Sequence, residues 1–221
     1  MIWLLLLPIL IGSIVVHELA HAWVARREGD DTAERQGRIT LNPIPHLDPV
    51  GSFLVPAILI ALPGSFIFGW ARPVPVNPAN FRDRVWGDIR VSLAGPASNV
   101  LLALAFTLLL VPAVSLAGGM EAAMNPEEGS LFVSAAFYGI LINLILAVFN
   151  MIPVPPLDGS HVLRHLLPEG LRASYDSVGR IGILVLLGFL FLVPEGFGII
   201  MAPVFFMTDI LVSVVQLVAR A

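Results

Sequence analysis

Long apolar runs are the feature that most limits what this sequence can fold into. A helix needs about 20 apolar residues to cross the roughly 30 Å hydrocarbon core of a bilayer. Five runs are apolar enough to be interpreted as spans: 2–25, 91–117, 131–151, 178–193 and 197–219. Charged residues make up only 13% of the 221-residue chain, against about a quarter in a soluble domain. The sequence therefore predicts an all-α integral membrane protein, with residues 1–221 forming a single membrane-embedded domain.

A sixth apolar run, 51–69, is interrupted by Pro56, Pro63 and several glycines. The arginines help to decide whether it crosses, because they concentrate in cytoplasmic segments. They are Arg26, Arg27, Arg35, Arg38, Arg72, Arg82, Arg84, Arg90, Arg164, Arg172, Arg180 and Arg220. Segment 118–130 holds none, so it is predicted to be external. All arginine-bearing segments then lie on the cytoplasmic side only if segment 51–69 enters and leaves the membrane on that same side. We expect a re-entrant, partly β-like segment near residues 37–69; the alternative is a sixth ordinary span.

Composition excludes several classes of site and partner. The net charge is −4 and the chain has no lysine, so nothing indicates a nucleic-acid partner. With no cysteine, disulfides and thiolate metal sites are excluded. The N-terminal apolar run lacks the basic start of a secretory signal, and we expect it to be retained as the first helix.

The motif HELAH at residues 17–21 breaks the first apolar run with ionisable side chains. His17 and His21 are four residues apart, so on a helix they share a face and can hold one metal ion. Glu18 points to the side, where it can act on a water at the metal as a general base. Histidines bonded to neighbouring helices are the alternative, but ionisable groups inside a membrane are costly and usually functional. We therefore expect a zinc ion here.

A catalytic zinc usually has three protein ligands, and the segment NMIPVPPLDG at 150–159 offers the third. Its prolines forbid regular helix, so Asp158 follows an extended stretch that can turn toward a metal on another helix. The alternative role for Asp158 is a turn or a helix N-cap. His17 lies about 22 Å along the first helix, toward the inner side of the membrane. Asp158 follows the span 131–151, which runs toward that same side only if 51–69 does not cross. We expect His46 and His165 at the surface. We expect His161 to be solvated at the cytoplasmic face; the alternative is that it supports the metal site or replaces one of its ligands.

HELAH and NMIPVPPLDG together resemble the zinc-binding segments of the site-2 protease family of intramembrane zinc metalloproteases. The stretches 37–56, 69–78 and 92–99 are similar to segments of its compact bacterial members, which lack PDZ and CBS domains. The resemblance implies zinc on His17, His21 and Asp158, with Glu18 as the base. It also implies that Asn150 contacts the substrate backbone or supports the oxyanion, and that Asn99 helps to shape the substrate site.

The function that the resemblance implies is cleavage of transmembrane substrates within the lipid bilayer, and we expect it near the cytoplasmic side of a bacterial inner membrane. A short strand at 37–41 could pair with the unwound substrate. The alternative function is a non-catalytic membrane protein that binds or transports metal.

Overall fold

The computed structural model describes residues 3–55, 58, 70–123, 131–179, 181–193 and 195–219. Helices dominate this part of the chain, which confirms the predicted all-α class. The α-helices are α1 (Trp3–Glu28), α2 (Thr32–Arg35), α3 (Arg84–Leu116), α4 (Met120–Ala123), α5 (Leu131–Asn150), α6 (Asp158–Leu166), α7 (Glu169–Val178), α8 (Gly182–Leu192) and α9 (Gly196–Ala219). Short 3-10 helices cover Ile44–His46 and Pro78–Asn80, and a π-helix covers Pro49–Leu54.

Helix α3 is the centre of the bundle and packs against α1, α5, α6 and α9. Its start is fixed by the side chain of Asp83, which accepts hydrogen bonds from the backbone N–H groups of Val85 and Trp86, both at 3.0 Å. The main core lies between α3, α5 and α9, where Leu110, Ile140 and Val204 are completely buried. The opposite face of α3 exposes leucines along its length, as expected of a surface that contacts lipid. These include Leu101, Leu108 and Leu116.

Within the described residues, four helices are long and apolar enough to cross a membrane: Leu5–Glu28, Arg84–Leu116, Leu131–Asn150 and Gly196–Ala219. The further span predicted at 178–193 contains the 11-residue helix α8, which is about 16 Å long and too short to cross alone. The count of five spans therefore stays a prediction. Within the predicted re-entrant segment, most of the apolar run 51–69, namely 56–57 and 59–69, lies outside the described residues.

The prediction of a strand at 37–41 is wrong, because these residues form a turn and bends. Its backbone groups are bonded locally instead: the N–H of Arg38 donates to the carbonyl of Ala33, and the carbonyl of Thr40 lies 3.0 Å from Nε2 of His46. Such local bonds compete with strand pairing. They also correct the prediction for His46, which is only 1% exposed rather than at the surface.

All described segments that carry arginines meet at one end of the bundle. The end of α1 and the start of α3 are joined by an ion pair between Glu28 and Arg90, at 3.1 Å. Helix α6, which carries Arg164, packs against α3, where Asp88 lies 2.7 Å from His165. The polar segments before α3 and after α5 therefore lie together, at the end of α1 that carries the HELAH motif.

Candidate metal centre

His17, His21 and Asp158 meet between α1 and α6, and we call them the metal trio. The two imidazoles are one helical turn apart, with their Nε2 atoms 3.0 Å apart. Asp158 Oδ2 lies 3.2 Å from Nε2 of His17 and 3.3 Å from Nε2 of His21. One ligand atom from each residue lies within 4.8 Å of the others. The structure therefore brings together three side chains separated by up to 141 residues, as the difference between positions 158 and 17 shows.

The other nitrogen of each imidazole is held by α3. Nδ1 of His17 lies 2.6 Å from the amide oxygen of Asn99, and Nδ1 of His21 lies 2.6 Å from the carbonyl of Val91. Since both oxygens only accept, each Nδ1 carries a proton, and each Nε2 is the ring atom left to bind a metal ion beside Asp158. Such partners fix the tautomer and the orientation of metal-binding histidines.

Asn99 belongs to a buried polar network that the sequence did not predict in full. Its amide nitrogen donates to the side-chain oxygen of Asn143 at 2.9 Å, and Asn143 donates to the hydroxyl of Ser13 at 2.9 Å. Both asparagines are 0% exposed. A polar residue at the centre of an apolar run, as at Asn143 in α5, was the available signal, because such residues in membranes usually have a specific partner.

The site fits a metal ion on three observations of the chain itself. Asp158 Oδ2 is buried and makes no hydrogen bond in the described structure. Gly95 on α3 faces the imidazoles so closely that a Cβ there would overlap Nε2 of both His17 and His21. Two neutral imidazoles and a carboxylate are a donor set that suits Zn²⁺.

The carboxylate stays ionised in this setting. Burial raises the pKa of Asp158, but the nearby nitrogens of His17 and His21 outweigh that effect and bring the pKa to about 2. Asp158 is the first residue of α6, and Leu157 is the N-cap residue, with no side-chain cap. Gly159 lets this turn pack directly on the end of α5, since a Cβ there would overlap the carbonyl of Met151.

Glu18 lies beside the trio without joining it. Its Oε2 accepts a hydrogen bond of 2.8 Å from the backbone N–H of Val74. Val74 belongs to the non-helical segment 70–77, which is tied down at other points as well. Nη2 of Arg38 donates to the carbonyl of Arg72 at 2.7 Å, and the N–H of Asn77 donates to the buried carboxylate of Asp30 at 2.7 Å.

Three other residues considered in the sequence, Asn150, His161 and His165, have hydrogen-bond or ion-pair partners outside the metal trio. Asn150, the last residue of α5, is half-buried and donates to the carbonyl of Leu146 in its own helix. His161 is exposed, whereas the side chain of His165 is only 9% exposed, which corrects the prediction of a surface position. Both histidines face Asp88 on α3, a residue the sequence analysis did not single out.

Comparisons with known proteins identify the family of the chain. The sequence model of peptidase family M50 matches residues 69–193. A Bacillus subtilis (strain 168) protein named "Putative zinc metalloprotease YwhC" is 44% identical over 187 residues, covering 85% of this chain and 80% of the relative.

Two mycobacterial relatives are both named "Putative zinc metalloprotease Rip2". That of Mycobacterium tuberculosis (strain H37Rv) is 34% identical over 199 residues, covering 90% of this chain and 70% of the relative. That of Mycolicibacterium smegmatis is 36% identical over 162 residues, covering 73% of this chain and 57% of the relative. No solved structure matches the sequence significantly. The chain belongs to peptidase family M50, the site-2 protease family, and is a zinc metalloprotease of the membrane.

Proposed function

We propose that the chain hydrolyses peptide bonds of transmembrane substrates, with zinc on His17, His21 and Asp158 and with Glu18 as general base. The observation that carries this proposal is the convergence of the three ligand atoms within 4.8 Å, with Glu18 next in sequence to His17. A structural zinc site is closed by four protein ligands, whereas a catalytic site keeps three and leaves a position open. The group found in the described residues contains three.

Zinc, when bound, supplies the Lewis acidity that polarises the scissile carbonyl and activates water. Glu18 handles the proton: it takes one from the attacking water and gives it to the leaving amine nitrogen. Because Oε2 already accepts the Val74 N–H, we assign the proton to Oε1. The Val74 hydrogen bond keeps the carboxylate at a fixed orientation during the transfer.

The two asparagines receive different roles in this proposal. Asn99 is completely buried and bonded to His17, which favours positioning of the imidazole over direct contact with the substrate. Asn150 is half-buried at the end of α5, just before the segment that leads to Asp158. It is the better placed of the two to donate to a substrate backbone or to the oxyanion.

We place the metal trio toward the cytoplasm. The arginine-bearing segments meet at the end of the bundle that holds the HELAH motif, and positive residues concentrate on the cytoplasmic side. The substrate is then a membrane-spanning segment cut near its cytoplasmic end, in a bacterial inner membrane. Either signalling by regulated proteolysis or removal of membrane peptide stumps is consistent with this position.

The substitution Glu18→Gln tests the proposal. It keeps an acceptor for the Val74 N–H but removes the base, so cleavage of single-span membrane proteins in detergent should be lost while the zinc content stays at the parent value. Asp158→Ala should instead lower both. The matched control is Glu28→Gln, on the same helix but paired with Arg90 instead of lying beside the metal trio; it keeps an acceptor for Arg90 and should leave cleavage unchanged. Cleavage by Glu18→Gln at the parent rate would refute the proposal.

A further inference from the structure

Helix α6 carries a second pair of histidines in the sequence HVLRH at 161–165. His161 and His165 are four residues apart, the same spacing as His17 and His21 in HELAH. They therefore share a face of the helix. Asp88, from α3, lies opposite this face. We call Asp88, His161 and His165 the second trio.

The distances between carboxylate and imidazoles in the second trio are similar to those in the metal trio. Asp88 Oδ2 lies 3.3 Å from Nδ1 of His161 and 2.7 Å from Nε2 of His165. In the metal trio the corresponding distances from Asp158 Oδ2 are 3.2 Å and 3.3 Å. In both places a single carboxylate oxygen from one helix faces two imidazoles that are one turn apart on another helix.

The surroundings leave the second trio available to a cation. The side chains of Asp88 and His165 are 12% and 9% exposed, and Nδ1 of His165 is buried with no hydrogen-bond partner in the described structure. The trio lines a cavity of about 520 Å³, which has room for the water ligands that complete a metal site.

Two arginines, Arg84 and Arg164, line the same cavity, and neither forms an ion pair with Asp88 in the described structure. Arg164, which lines the same cavity, is held in a two-bond pair with Asp176 at 2.8 Å and 3.0 Å. Within the described residues, the ion pairs of Asp88 involve only the two histidines. A largely buried carboxylate that no arginine pairs with favours binding of a positive ion.

We propose that Asp88, His161 and His165 form a second site for a divalent cation of the zinc class. Two imidazoles and one carboxylate suit zinc and related transition metals. Within the described residues, the metal trio alone has all its ligand atoms within 4.8 Å, so the two imidazoles of the second trio must come closer together. The His161 side chain is 48% exposed, which gives its ring the freedom to rotate toward the ion.

A cation in the second site would join α6 to α3. His165 lies about 10 Å along α6 from Asp158, so the same short helix carries ligands of both sites. Binding at the second trio therefore holds Asp158 opposite His17 and His21. The site gives the protease a cation-dependent support for its metal centre.

Metal counting tests the proposal. Bound metal is removed from the purified full chain with a chelator, and the protein is dialysed against buffers of rising free Zn²⁺ concentration. Elemental mass spectrometry then measures the number of zinc ions per chain. We expect two equivalents for the parent protein and one for His161→Gln, His165→Gln and Asp88→Asn. The equivalent that remains shows that each variant is folded.

Two controls make the result specific. Arg164→Gln alters the same helix and cavity without touching the second trio, and it should keep two equivalents. His17→Ala should lose the first equivalent and keep the second, so this test does not depend on the proposed protease function. A single equivalent in the parent protein at every Zn²⁺ concentration, or two equivalents in the three second-trio variants, would overturn the second site.

Discussion

Nδ1 of His17 on α1 lies 2.6 Å from the amide oxygen of Asn99 on α3. This hydrogen bond crosses between two membrane-spanning helices and decides which nitrogen of His17 faces Asp158. The orientation of the Asn99 amide is itself fixed, because its nitrogen donates to Asn143. The geometry of the metal centre thus depends on residues that are not metal ligands.

Asn99→Ala should lower the zinc affinity about 10- to 100-fold, the range seen when a hydrogen-bond partner of a metal-binding histidine is lost. The reason is that the His17 ring loses the acceptor that fixes its tautomer. Competition with a fluorescent zinc chelator measures the effect. Asn143→Ala, one bond farther from His17, should cause a smaller loss. An unchanged affinity in Asn99→Ala would mean that the His17 ring is fixed by something else.

Gly95→Ala should abolish zinc binding, although Gly95 has no ligand atom. A Cβ at this position would overlap Nε2 of both His17 and His21, and those atoms face Asp158. The control is Gly12→Ala on α1, where a Cβ meets nothing within 4 Å and the gain in helix propensity is about 1 kcal/mol. Zinc content and thermal stability should fall in the first variant and stay at or above parent values in the second.

Gly159→Ala should weaken zinc binding by displacing α6. A Cβ there would overlap the backbone carbonyl of Met151, which cannot move without shifting the end of α5. Asp158 would then withdraw from the histidines. Gly170→Ala on α7, where a Cβ has open space, is the matched control. If the zinc affinity of Gly159→Ala equals that of the control, the close packing of α6 on α5 does not position Asp158.

Asp30→Ala should lower the free energy of unfolding by about 3 kcal/mol, because hydrogen bonds to a charged group contribute about 1.5–3 kcal/mol. Asp30 is completely buried and accepts from the N–H of Asn77 and from the amide of Asn80 at 2.7 Å and 2.8 Å. The measurement is a denaturant titration in detergent. Asp30→Asn keeps an acceptor oxygen and should cost less.

The contribution of Asp30 should depend on pH. Burial raises its pKa, but hydrogen bonds from Asn77, Thr32 and Asn80 outweigh burial, and the net pKa is below the usual value. The stabilisation is therefore fully present above about pH 4, the unfolded value, and is lost as the pH falls through the folded pKa. The stability difference between parent and Asp30→Ala should be constant near neutral pH and narrow in acid. A difference that widens in acid would contradict this assignment.

Local periodicity carried most of what the sequence could predict. The helical spacing of His17 and His21 needs only the regular geometry of α1, and the prolines before Asp158 exclude helix whatever the surroundings. The proposed roles of these residues stay predictions until the variants are measured. What the sequence could not indicate depends on contacts between distant segments. Asn143 matters because α5 packs beside α1 and α3, and no local pattern records that neighbour.

The wrong predictions for residues 37–41 and for His46 are also explained by contacts that the local pattern does not show. Residues 37–41 alternate as a strand would, but their backbone groups are taken by Ala33 and His46. His46 is buried because a short 3-10 helix turns it toward Thr40. In both cases a hydrogen bond to a group several residues away determined the structure, which the pattern of the segment alone could not indicate.

The length of α3 has a consequence for how the protease obtains water. The helix has 33 residues, about 50 Å in length, which exceeds the hydrocarbon thickness of roughly 30 Å. Its charged residues, Arg84, Asp88 and Arg90, all precede Val91, and the carbonyl of Val91 is the group that holds His21. We therefore expect the metal trio to lie where α3 passes from headgroups into hydrocarbon. If the proposed function holds, each round of hydrolysis should draw its water from the adjoining aqueous phase, without a channel across the bilayer.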